Sequence, residues 1–285
     1  ITKAIKYHLP AQFCFFYCLQ DISGMSLEKD LQIELMAHHN ICPICSSEEL
    51  RLFLRAGDHF LSREIFILYS CNKCGFVFTQ DPPGESDIGK YYESTEYVSH
   101  NDSSPGVSNI LYRYSRKIML RKKRNFVRKF TGMDTGRLLD IGSGTGHFLS
   151  EMKDSGWKVL GIEINNKARE YSISMSGAEV IAPRDISTIP FASFDCITMW
   201  HVLEHFENPD EYMEHIHRIL KPEGVLFIAV PNCSSFDSMH YKQFWAAWDV
   251  PRHLWHFNPQ TFRLFAEKTG FEIISIKSLP LDVFY

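Results

Sequence analysis

The sequence contains no apolar run of about eighteen residues, so no helix that spans a membrane is expected from it. It also lacks any marked charge imbalance. Thirty Lys+Arg against 34 Asp+Glu leave a formal net charge of -4, which gives no global pull toward nucleic acid or an anionic membrane, although local patches stay open. A small-residue cleavage site is missing after the basic start (Lys3, Lys6) and the apolar stretch Ala11–Leu19, which counts against a secretory signal. The chain opens on Ile, with Met25 and Met36 ahead of any motif, so an extended or processed start is expected; residues 1–35 are assigned no role. What is present is ordinary for a globular protein: 285 residues, 45% of them hydrophobic, enough for one large domain and a smaller one.

Four of the eight cysteines form two knuckles, Cys42-Pro-Ile-Cys45 and Cys71-Asn-Lys-Cys74, with 25 residues between them. Each knuckle presents two thiolates to one ion, and two knuckles close a tetrahedral site with no vacant position, the pattern of a structural zinc ribbon. Disulfides or a redox pair are the competing readings; neither needs two matched knuckles in a reducing compartment. Between the knuckles, Leu50–Leu54 and Glu64–Tyr69 read as strands of a small sheet. Such a module is too small to fold on its own apolar area, so the metal is expected to supply much of its stability. Cys14, Cys18, Cys196 and Cys233 fall outside the pattern and are expected to be unligated, with Cys196 a core residue.

Further along, Asp81-Pro-Pro-Gly84 marks a boundary, Tyr91–Tyr97 is rich in tyrosine and suited to cover a pocket, and Asn101–Gly106 is a loop. Asn109–Phe130 reads as a helix carrying nine cations from Arg113 to Lys129, with Ile110, Tyr114, Ile118, Leu120 and Phe126 expected on its buried face. These cations suit either phosphate binding or a solvated face; the second is preferred, because no stacking aromatics accompany them.

The most informative stretch is Leu138-Leu-Asp-Ile-Gly-Ser-Gly-Thr-Gly-His147, an apolar strand that runs into a glycine-rich turn opening a helix. A dinucleotide fingerprint would place its third glycine at position 147, where this chain has His147, so another nucleotide-type cofactor is favoured. A second strand ends in Glu163, where a ribose-binding acid belongs. Together with Phe194–His205 and Leu220-Lys-Pro-Glu-Gly224, these motifs resemble the class I S-adenosylmethionine (SAM) dependent methyltransferases from about Lys129 onward. The resemblance implies an α/β fold, a doubly wound Rossmann-like sheet preceded by the zinc-ribbon-like module, with SAM and structural Zn2+ as cofactors. It divides the chain into 36–82, 83–129 and 130–285, with a substrate insert at about 232–258. Strands are expected at Leu138–Ile141, Lys158–Glu163, Glu179–Ala182, Phe194–Trp200, Gly224–Val230 and Phe271–Ser278. The family's usual seventh, antiparallel strand has no counterpart, so the tail is either cut short or the edge is built differently.

By the same resemblance Asp140, Gly142, Ser143, Gly144 and Gly146 serve the methionine end of SAM, Glu163 its ribose and Asp185 its adenine, with Trp200 also at the cofactor. His253 is the leading candidate base, ahead of His201 and His205, which follow the fourth strand and can equally be capping or core residues. His201-x-x-Glu204-His205 has no third metal ligand in view. The insert Phe244–Phe257 is unusually aromatic; Arg252 and Trp255 are the candidate substrate contacts, against the alternative that the whole segment packs a long loop onto the core. The preferred expectation is a cytoplasmic methyltransferase acting on a small molecule such as a sugar or another biosynthetic intermediate. An RNA or protein methyltransferase that uses the ribbon and the basic helix is the first alternative, and a non-enzymatic zinc-containing interaction protein the second.

Overall fold

The structure, a computed structural model, describes residues 39–92 and 107–279. The N-terminal extension with Cys14 and Cys18, the tyrosine run beyond Tyr92, the Asn101–Gly106 loop and the tail past Leu279 lie outside the described residues. No helix among the described residues is long and apolar enough to cross a membrane.

Two sheets make up the fold. The first has the strands β1 (Leu50–Gly57), β2 (Ile65–Cys71) and β3 (Val77–Gln80). The second is parallel throughout and contains β4 (Arg137–Ile141), β5 (Lys158–Ile162), β6 (Glu179–Ile181), β7 (Phe194–Trp200) and β8 (Leu220–Ala229) in the order β6-β5-β4-β7-β8. Strands covered by helices on both faces must be apolar on both, and Leu138, Leu139, Ile197, Met199 and Phe227 are all fully buried. The order reverses beside β4, so the carboxyl ends of β4, β5 and β7 meet at a topological switch point, where doubly wound folds bind ligands.

The expected sixth strand, Phe271–Ser278, is not formed; the segment is irregular. Its alternating residues suit a strand, but no ladder partner lies against it among the described residues, and without one its backbone groups have no reason to extend in register. The helix before the sheet, Val107–Thr131, is present, and of its expected buried face Leu120 is buried and Phe126 packs against the core. Tyr114 is 65% and Ile118 40% exposed, whereas Met119, Lys123 and Val127 are buried; among the residues whose side chains are described, contact with the sheet core starts at Met119, and Ile110 lies outside them. Lys123, counted among the solvated cations, lies inside with its amine 4.6 Å from the Trp200 ring centroid. Arg124 pairs with Glu151 at 2.7 Å and Arg128 with Asp134, so these cations too are engaged within the chain.

The cysteine-bearing sheet is completed from an unexpected direction. A two-residue strand in the insert, β9 (Trp255–His256), pairs antiparallel with β3, so that sheet runs β1-β2-β3-β9. Its core is continuous with the parallel sheet: Cys42, Cys71, Phe76 and Phe78 share one apolar cluster with Leu139, Ile141 and Met199. This removes the need for the metal alone to offset the small size of the module. A polar strut ties the other end. Arg252, 2% exposed, donates to Asp58 in the β1–β2 connection (2.9 Å), to Asp249 (2.6 Å) and to the Tyr91 carbonyl (3.1 Å). Burial would raise the Asp58 carboxyl, but Arg252 and the N–H groups of Leu61 and Ser62 bring it down to about 2. Removing one member of a buried, saturated pair leaves an uncompensated charge, so Arg252→Met should lower stability by about 3–5 kcal/mol in urea unfolding at neutral pH. An unchanged midpoint would show that the strut carries no weight.

Candidate functional site at the sheet switch point

The turn after β4 is built by glycines with positive φ, at 69° for Gly142, 52° for Gly144 and 80° for Gly146. They differ in what surrounds them. A Cβ on Gly142 would sit 2.3 Å from Val202 Cγ2, and one on Gly146 2.3 Å from Ser172 Oγ, so both are held by close packing, whereas one on Gly144 would meet nothing within 4 Å. The turn therefore presents its backbone at Gly144 to open space. Gly146 caps the helix His147–Asp154, whose first N–H groups complete a site suited to a ligand carboxylate or phosphate.

Glu163, just past β5, is 8% exposed and accepts N–H groups from both sides of the switch point, Gly144 at 2.8 Å and Asn165 at 2.8 Å. It fixes the height of the turn as well as facing the expected ribose position. Ser143 Oγ is buried without a hydrogen-bond partner in the same turn, a polar atom left for a ligand. Asp140 is fully within the sheet, its carboxylate accepting from the Thr198 hydroxyl at 2.6 Å. Burial pushes its carboxyl up to about 7, against the opposing pull of Thr198 and Lys123 and with help from Glu163. Asp185 lies in the turn after β6, partly exposed, with its carboxylate 3.9 Å from Arg184. Trp200 packs against Phe148 and Phe227 beneath Lys123.

On the other side of Val202 lies a cluster that periodicity cannot reveal. His201 (φ 59°), Glu204 and His205 follow β7, and the insert brings His253 onto them; His205 and His253 ring centroids are 4.6 Å apart. Backbone contacts lock the two segments together, with Leu254 N–H donating to the Glu204 carbonyl at 2.7 Å. Thr79 of β3 holds the insert from behind, its hydroxyl donating to the His253 carbonyl at 2.8 Å and its N–H to the Leu254 carbonyl at 2.9 Å. Glu204 is completely buried; burial raises its carboxyl, but His201, His253 and His205 outweigh that and hold it low. His205 is brought down to about 4, first by burial and then by the neighbouring His253 imidazole, so its ring stays neutral in the neutral range. The structure thus brings the three candidate histidines together and supplies the third ligand that H-x-x-E-H lacked: Glu204, His205 and His253 each place a ligand atom within 4.8 Å of the others.

Two candidate substrate contacts are placed elsewhere. The guanidinium of Arg252 is spent on the strut to Asp58 and Asp249. Trp255 stacks on Phe76 within the cysteine-bearing sheet, donates its indole N–H to the Phe206 carbonyl, and lines a separate cleft of about 430 Å³ with Ile44, Asp210 and Lys268. The two knuckles do converge. Cys42 and Cys74 Sγ are 3.5 Å apart and Cys45 and Cys71 3.6 Å, all four within 4.8 Å. These separations exceed the ~2.05 Å of a disulfide and approach the roughly 3.8 Å edge of a tetrahedron of metal–sulfur bonds. Burial pushes the Cys42 thiol up to about 11, while backbone N–H groups of Cys74 and Lys73 outweigh burial and bring Cys71 down to about 7.

Asp140 yields a pH test. A carboxyl raised in the folded state costs nothing below the unfolded value of about 3.9 and costs progressively more as pH rises toward its folded value of about 7. Asp140→Asn should therefore gain thermal stability relative to the parent between these two pH values and hold a constant advantage above; a gap that is the same at pH 4 and pH 8 would contradict the raised carboxyl.

A family model described as a methyltransferase domain matches residues 111–276, more than half of the chain. The chain is 32% identical over 104 residues to a ubiquinone biosynthesis O-methyltransferase of Paraburkholderia phymatum, covering 34% of this chain and 44% of that protein. With the protein of the same name from Pseudomonas aeruginosa it is 28% identical over 116 residues, 38% of this chain and 50% of that one. The chain thus spans about half the length of the curated relatives it matches. Among solved structures, a SAM dependent methyltransferase from Archaeoglobus fulgidus superposes with a TM-score of 0.46 at 23% identity, covering 59% of this chain and 75% of the other. The matched span includes the glycine turn, Glu163, the cluster after β7 and His253, and by it this chain belongs to the methyltransferase domain family.

Proposed function

We propose that this chain transfers the methyl group of SAM to a small-molecule acceptor. The observation that carries the reading is the geometry at the switch point, where a glycine turn opens its backbone at Gly144 beside the buried acid Glu163, next to an unpartnered Ser143 hydroxyl. When bound, SAM supplies a methyl on a cationic sulfur that departs as a neutral thioether, so the chain's task is chiefly positioning. Asp140 and the turn from Gly142 to Gly146 serve the methionine end, Glu163 the ribose, and Asp185 the adenine end. The acceptor sits against His201, His205 and His253, the side chains that can handle its proton or hold its polar atoms.

The relatives named for O-methylation in ubiquinone biosynthesis support a small acceptor. Three of the nine cations of the basic helix are engaged within the chain, Lys123 by burial and Arg124 and Arg128 by pairing, which weakens the case for a macromolecular acceptor on that face. Zinc suits the four thiols, which offer soft donors with no open position. Its role in this reading is to brace the sheet that carries β3, and through Thr79 the backbone at His253. Cysteines clustered as metal ligands rather than paired in disulfides, together with a metabolic cofactor, support a cytoplasmic setting.

Calorimetric titration with SAM is the direct test. Gly144→Arg projects a side chain into the open face of the turn and should abolish SAM binding while zinc content is kept; unaltered SAM affinity would remove the cofactor assignment. His253→Ala should leave SAM affinity within about twofold and cut turnover by about 10²-fold or more in an acceptor screen. An undiminished rate would take His253 out of the reaction.

A further inference from the structure

We propose that Glu204, His205 and His253 bind a divalent transition-metal ion at the acceptor end of the site, separate from the four cysteines. The proposal deepens the acceptor-site reading above and rests on it for the ion's role.

Glu204 is 0% exposed, and neither of its carboxylate oxygens has a hydrogen-bond partner among the described residues. A buried charge left this way is costly unless a cation meets it. The surrounding imidazoles stand off from it: His201 Nδ1 is 3.6 Å and His253 Nε2 4.0 Å from Oε1, beyond the ~2.7–2.9 Å of a charge-assisted hydrogen bond. An ion with bonds of about 2.0–2.2 Å would bridge His253 Nε2 and Glu204 Oε1 after a closure of under about an ångström, with the His205 ligand atom within 4.8 Å of both.

The histidines are already set in the tautomer a metal requires. His205 Nδ1 lies 2.9 Å from the Arg252 carbonyl and His253 Nδ1 3.0 Å from the Ala247 carbonyl. A carbonyl can only accept, so each ring carries its proton on Nδ1 and keeps its lone pair on Nε2. Metal-ligating histidines are oriented by this kind of hydrogen bond on the far nitrogen. The backbone that presents them is rigid: Leu254 N–H is bonded to the Glu204 carbonyl, Thr79 to the His253 carbonyl, and Asp249 to Arg252.

Two imidazoles and one carboxylate select a transition ion such as Zn2+, Mn2+ or Fe2+ over Ca2+ or Mg2+, which prefer all-oxygen sites. Three protein ligands leave positions for water or for an oxygen of the acceptor. The ion would thus orient an oxygen-bearing acceptor beside the glycine turn, whose Gly142 packs on Val202 between the two sites.

Titration of the metal-free full chain with Co2+ separates this site from the cysteines. Wild type should take up two equivalents, one giving the intense sulfur-to-cobalt absorption of a thiolate site and one giving only weak visible bands. Glu204→Gln and His253→Gln should each lose the second equivalent and retain the first. A wild type that binds a single equivalent, or folded variants that keep both, would overturn the proposal; where a variant does not fold, His205→Gln and the wild-type stoichiometry decide. SAM titration of the same samples is an independent readout. SAM binding with one equivalent of cobalt sinks the metal site alone, and two equivalents without SAM binding sink the methyl-transfer reading alone.

Discussion

The histidine cluster after β7 depends on the pairing of β3 with β9. Only two residues of the insert enter that ladder, Trp255 and His256. Yet the ladder sets the height and direction of the segment that ends in His253, because Thr79 clamps both the His253 and Leu254 carbonyls from the β3 side. Loops rarely hold reactive side chains to the tolerance a reaction needs without such support. Here the support comes from the sheet that also carries the four clustered cysteines, so that module bears on where His253 is held.

The strut through Arg252 supplies the second constraint. Its guanidinium joins the β1–β2 connection, the Tyr91 backbone and the insert at one point, with Asp58 and Asp249 sharing the charge. A side chain that an exposed-loop reading would aim at substrate is instead an anchor, and its neighbour His253 is the residue presented. Adjacent positions in one motif thus divide the work: one is buried to hold, and one is held.

The two ends of the site handle buried acids differently. Asp140 is raised toward neutrality by burial within the parallel sheet, with only Thr198 and Lys123 opposing. Glu204, no less buried, is kept low by the histidines gathered around it. The contrast follows from topology: Asp140 sits inside a strand, where neighbours are apolar, and Glu204 sits in a turn at a strand end, where the insert can bring imidazoles to it.

Much of the switch-point geometry was legible along the chain. The glycine turn, the acid after β5 and the strand boundaries of β4, β5 and β7 follow from local patterns, since close backbone approach and a parallel core restrict residue types position by position. The convergence of the two cysteine knuckles was legible too, because each C-x-x-C turn brings its two thiols to one side. Periodicity misplaced Tyr114 and Ile118 of Val107–Thr131, which are exposed, while placing Leu120 correctly, and it projected a strand at Phe271–Ser278 where no ladder partner stands among the described residues. The placement of His253 against Glu204, the burial of Arg252 and the capture of Trp255 by the first sheet were decided by folding alone. Each depends on a pairing between segments distant in sequence, and no local pattern encodes which edge a two-residue strand will join.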